Sequence, residues 1–149
     1  MAMVAYIQRL TGDTAGAKVT AEPARDTFEK LYRNQPNDAN ILTLLSKTYA
    51  VMGEKEAALN LAQRAVTLEP RAKDPVNGPT REEFLALVQT LVGDNSGAIE
   101  TLGRLLRTPY DSWMYNPTGV TPALLRLDPI WDPLRSDPAF QKLCEEKQR

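Results

Sequence analysis

The chain has 149 residues, 42% of them apolar and 25% charged, the composition of a soluble globular protein large enough to bury a sizeable core. Its 18 basic and 19 acidic residues leave a net charge of −1, which gives no electrostatic basis for binding nucleic acid or an anionic membrane, and no apolar run approaches the roughly 20 residues that span a bilayer. The absence of histidine excludes His-based acid–base and nucleophile systems and nearly all zinc sites, while a single cysteine, Cys144, excludes an internal disulfide and fits a reducing, cytoplasmic setting.

One phrase punctuates the chain. Gly12-Asp13 precedes Ala17, Gly53-Glu54 precedes Ala58, and Gly93-Asp94 precedes Ala98, at spacings of 41 and 40 residues. A period of this size marks a stack of like units. The first unit, 3–35, predicts a helix from Met3 to Leu10 and a second from Thr14 to Gln35. Proline in a helix interior costs about 3 kcal/mol, so a kink or break is expected near Glu22-Pro23. The second unit, 39–69, is the clearest. Ile41, Leu42, Leu44, Leu45, Tyr49 and Val51 keep a helical period before Gly53, and Ala57, Ala58, Leu61, Ala62, Ala65, Val66 and Leu68 keep it afterwards. Asp38 is the expected N-cap, Gly53 the left-handed stop, and Glu69-Pro70 the end.

The third unit, 80–108, predicts a start at Thr80 with Glu83 completing a capping box. Phe84, Leu85, Leu87, Val88, Leu91 and Val92 line its first helix. Ala98, Ile99, Leu102, Leu105 and Leu106 line the second, which ends before Pro109. Segments 71–79 and 107–121 are rich in turn residues and read as loops, and no strand pattern appears. In the remaining segment, 109–149, Asp128-Pro129, Asp132-Pro133 and Asp137-Pro138 each place a capping acid before a first-turn proline. They predict short helical turns after Asp128 and Asp132 and a final helix from Pro138 to Lys147. Trp131, Leu134, Phe140 and Leu143 would then cover the apolar end of the stack, as repeat arrays require.

The middle hairpin resembles a tetratricopeptide repeat. Counting from Ala39, it carries Leu42, Leu45, Ser46, Tyr49, Gly53, Ala58, Ala62, Ala65 and Pro70 at that family's signature places. The third unit agrees at Leu85, Ala86, Gly93, Ala98, Leu102 and Leu105, with Gln89 where an aromatic is expected; the first agrees around Val4, Ala5 and Gly12. The tail from Leu127 to Leu143 is similar to the closing segment of tetratricopeptide modules at the C-terminal end of bacterial signalling proteins, among them serine/threonine kinases, winged-helix regulators and nucleotide cyclases. The resemblance implies an all-α fold: a right-handed superhelical stack of helical hairpins with a short C-terminal helical cap, one domain over 1–149. The abrupt start at Met1 agrees with a piece of a longer protein.

The chemistry-bearing candidates are few. Asp128, Asp132 and Asp137 have cap spacing rather than calcium-loop spacing, and Cys144 lacks a base or an electropositive setting. There is no G-x-G-x-x-G or P-loop, so no cofactor or metal is expected. Tyr110, Trp113 and Tyr115 in the 107–121 loop read either as a lid packed on the third hairpin or as a recognition patch. The family lines an inner groove with the first helix of each hairpin. Carried over, that groove takes Tyr6 and Arg9, then Asn40, Thr43 and Lys47, then Thr80, Glu83, Phe84 and Leu87. The implied role is a protein or peptide interaction module, not an enzyme. Self-association through an open N-terminal face is the alternative, and an acid-dependent hydrolase at the 107–121 loop the weakest reading.

Overall fold

A computed structural model of the chain describes residues 2–107, 109–112 and 119–145, and every regular element among them is helical. The contacts within the chain fall into two compact units, Met1–Glu69 and Pro70–Arg149, where the sequence reading takes one domain.

Unit 1 consists of α1 (Ala2–Leu10), α2 (Thr14–Asn34), α3 (Ala39–Met52) and α4 (Lys55–Leu68). The predicted bends stand at Gly12 and Gly53, whose φ values of 88° and 83° lie in the left-handed region that side chains with a Cβ avoid. Asp38 caps α3, its Oδ1 accepting from the amides of Asn40 at 2.8 Å and Ile41 at 3.1 Å. Asp13 caps α2 by accepting from Gly16 at 2.9 Å. Of the kink or break expected near Glu22-Pro23, the break does not occur: α2 runs through Pro23 as one helix. Pro23 is exposed, so its ring projects into solvent, while Ala17 and Ala21 are buried and α2 is packed along α1 and α3. Tertiary packing of this kind outweighs one missing backbone bond.

Small residues set how closely these helices approach. Ala5, Ala17, Ala39, Ser46, Ala50, Ala58, Ala62 and Ala65 are all buried, as are the larger Leu42 and Leu45. Polar ties reinforce the stack. The Tyr49 hydroxyl donates to Glu29 at 2.7 Å, and Arg64 donates to the Tyr32 hydroxyl at 2.8 Å and to Asn37 at 2.7 Å, fastening α4 to α2 and to the connector before α3.

Unit 2 contains α5 (Asn77–Leu91), α6 (Asn95–Leu105), α7 (Pro122–Leu127), a 3₁₀ segment (Pro129–Leu134) and α8 (Pro138–Glu145). Its first helix starts three residues before the predicted Thr80. Asp74 marks the start instead, its Oδ1 accepting from the amides of Val76 at 3.1 Å and Asn77 at 2.8 Å. Pro79 is tolerated because it lies in the first turn, where an amide has no partner within the helix. The Thr80–Glu83 capping box is therefore not formed, and the 71–79 loop is shorter than expected. The third bend stands at Gly93 as predicted, with φ 77°.

The tail differs in detail. A short helix, α7, precedes it, capped by Thr121, which accepts from Leu124 at 3.1 Å. The two turns expected after Asp128 and Asp132 merge into one 3₁₀ segment. Asp128 caps it, and the Asp132 carboxylate pairs with Arg135. Trp131, Leu134 and Phe140 are fully buried on Ala98, Leu102 and Leu105, with Leu143 against the same cluster, which is the expected cover of the third hairpin.

Candidate functional site

In unit 1 the predicted groove residues lie on α1 and α3. Lys47 Nζ sits 4.6 Å from the centroid of the buried Tyr6 ring, a cation–π contact. The two side chains hold equivalent places in successive hairpins, 41 residues apart, so stacking the hairpins brings them together. Lys47 is half-buried, and that burial lowers its amine below the ordinary lysine value. Among the described residues no carboxylate forms an ion pair with it. Asn40, two helical turns earlier on the same side of α3, is exposed. Arg9 reaches toward Gly53, where a Cβ would stand 3.8 Å from its Nη1, a placement that suits the electronegative end of α3. Thr43 is buried and its hydroxyl donates to its own helix, to the Ala39 carbonyl at 2.7 Å.

In unit 2 the predicted positions are arranged otherwise. Thr80, Glu83 and Leu87 are buried and line no open groove; Phe84 is half-buried. Glu83 is inside because the chain after α6 folds back over α5. The Tyr110 hydroxyl and the Ser112 hydroxyl each donate to the Glu83 carboxylate at 2.7 Å, and the Val120 amide donates to the Tyr110 oxygen at 3.0 Å. The Arg71 guanidinium lies 6.0 Å from the Tyr110 ring centroid. Burial first, and then the Glu83 charge, hold the Tyr110 phenol well above its ordinary value. Of the two roles open to this loop, Tyr110 therefore takes the packing one. Trp113 and Tyr115 lie outside the described residues. Nothing in the local sequence marks Glu83 for the interior, because its partners lie 27 and 29 residues downstream.

Cys144 is buried, and desolvation pushes its thiol up against the opposing pull of Arg126 and Arg135. It lines an open cavity of about 310 Å³ with Arg126, Arg135, Phe140, Gln141 and Glu145. Both arginines there are engaged with backbone carbonyls, Arg126 with that of Cys144 and Arg135 with that of Arg126. Among the described residues no three His, Cys, Asp or Glu side chains are grouped to hold a metal, and no helix is long and apolar enough to cross a membrane.

Comparison of the chain with family models, with curated proteins and with solved structures yields no match.

Proposed function

We propose that this protein is a protein–protein interaction module whose helical hairpins are of the tetratricopeptide kind, and that it grips an acidic stretch of a partner peptide on the α1–α3 face of unit 1. The right-handed superhelical stack such hairpins build, and the setting in a larger bacterial signalling or regulatory protein, belong to the same proposal. One observation carries the reading. Lys47 is held half-desolvated over Tyr6, and no carboxylate neutralises it among the described residues. Withdrawing an ammonium from water costs free energy, and none of the described carboxylates offsets that cost. An anionic side chain or terminus of a partner would supply that counter-ion. Asn40 is exposed two turns away on the same side of α3, and Tyr6 adds apolar area beneath. In unit 2, half-buried Phe84 remains a candidate contact, whereas Thr80, Glu83 and Leu87 serve packing.

The test uses peptides selected on the chain from a displayed random library. Lys47→Met combined with Asn40→Ala is expected to weaken their binding at least about tenfold, roughly 1.4 kcal/mol. The melting temperature is expected to stay level or rise, because the substitution removes a half-buried charge. Equal affinity for both proteins by calorimetry overturns the assignment.

A further inference from the structure

The part of α5 that corresponds to the Lys47 face is closed by the chain itself. A 40-residue offset carries Asn40, Thr43 and Lys47 onto Thr80, Glu83 and Leu87. In α3, Asn40 is exposed and Lys47 half-buried; in α5, Thr80 and Leu87 are 2% and 1% exposed and Glu83 is fully buried.

What lies over Glu83 is an irregular stretch of chain. Residues 109–112 and 119–121 form neither helix nor strand. Two of their hydroxyls converge on one acid: Tyr110 donates to Glu83 Oε2 and Ser112 to Glu83 Oε1, each at 2.7 Å. One hydroxyl on each oxygen is the arrangement that suits an ionised carboxylate, and such charge-assisted bonds are stronger than neutral ones. The Tyr110 ring is seated from both sides. The backbone passes close to it at Gly119, where a Cβ would stand 2.5 Å from Tyr110 Cε1, and the Arg71 guanidinium lies 6.0 Å from its centroid. An aromatic anchor and two hydroxyl donors set on a helix from an irregular segment are what a bound peptide would offer.

We infer that the Glu83 face of α5 is a second recognition surface held by an internal occupant, and that the partner it takes is a peptide presenting a tyrosine and a serine two residues apart. Tyr110 and Ser112 present that pattern from within the chain. The inference rests on the interaction-module reading, applied to the other unit. The chain's own segment acts at a high effective concentration, so the surface accepts a partner only when the internal contact is loosened.

Fluorescence anisotropy of a labelled synthetic peptide copying residues 107–121 tests it on the full chain. Tyr110→Ala with Ser112→Ala is expected to bind the peptide at least about tenfold more tightly than the unaltered chain does. Gly119→Ala, which crowds the Tyr110 ring without touching α5, is a second opening variant expected to act in the same direction. Adding Glu83→Ala to the first variant is expected to remove the gain, as is replacing the peptide's own tyrosine and serine by phenylalanine and alanine. Lys47→Met is expected to leave this binding unchanged, which separates its failure from that of the Lys47 face. Equal binding by the unaltered and opened chains, no binding by opened chains of undiminished helical circular dichroism, or a gain that survives Glu83→Ala overturns the inference. Loss of the helical signal in both opening variants overturns it as well, because the segment would then be part of the core.

Discussion

Tyr49 stands where the other two hairpins carry Gln8 and Gln89, four residues before the bend glycine. In the outer two, the glutamine amide clasps the acid after the glycine, Gln8 to Asp13 at 3.1 Å and Gln89 to Asp94 at 3.4 Å. Gly16 and Gly97 make room for it: a Cβ there would lie 2.1 Å from Asp13 Oδ2 and 2.4 Å from Asp94 Oδ2. The middle hairpin has Ala57 at that place, and Tyr49 turns instead to Glu29. Burial, and then the hydrogen bond and charge of Glu29, push the Tyr49 phenol up to about 12. A group held neutral by the fold contributes stability that is complete below its unfolded value near 10 and is lost as pH rises through about 12. Tyr49→Phe is therefore expected to flatten the fall in urea midpoint across that window. The limb shrinks rather than vanishes, because Tyr110 is held neutral in the same sense. An unaltered limb would assign the alkaline loss to other groups.

At the level of elements, what could be read beforehand depended on where the deciding partner lies. The bends at Gly12, Gly53 and Gly93, and the cap at Asp38, are written within a few residues of the turns they make. The contact of Lys47 with Tyr6 was not read beforehand; the two were named only as separate groove positions, although they lie 41 residues apart at equivalent places. Nor was the start of α5. Thr80 and Glu83 have the right spacing for a capping box, and only tertiary burial of Glu83 under Tyr110 and Ser112 shows that they do another job. The six residues of α7 are too few to show a period. Pro23 belongs here as well. It sits inside a 21-residue helix and leaves one helical carbonyl without its usual backbone donor. Pro23→Ala is expected to stabilise the protein by about 1–3 kcal/mol, read from chemical denaturation. A loss of stability would mean that the proline's restriction of the unfolded chain matters more.

For the molecule as a whole, the division at Glu69–Pro70 is the feature with the widest reach. The connector between α4 and α5 exposes Ala72, Lys73, Pro75 and Val76; its turns close onto Pro70 and Asp74, and Arg71 ties it to Glu82. Exposed connectors between compact units are the usual sites of first cleavage. A lysine-specific protease is expected to divide the chain first after Lys73, giving fragments 1–73 and 74–149 by mass spectrometry. First cuts inside α2 or α3 would refute this ranking of local stability. The position of Trp131 has another consequence. Both tryptophans, Trp113 and Trp131, lie beyond Pro70, and Trp131 is fully buried. Unit 1 has no indole, so tryptophan emission is blind to its melting. With Trp113→Phe the protein would carry a single optical reporter at the centre of the C-terminal cap, and comparing its emission with whole-chain ellipticity would time the opening of that end against the rest.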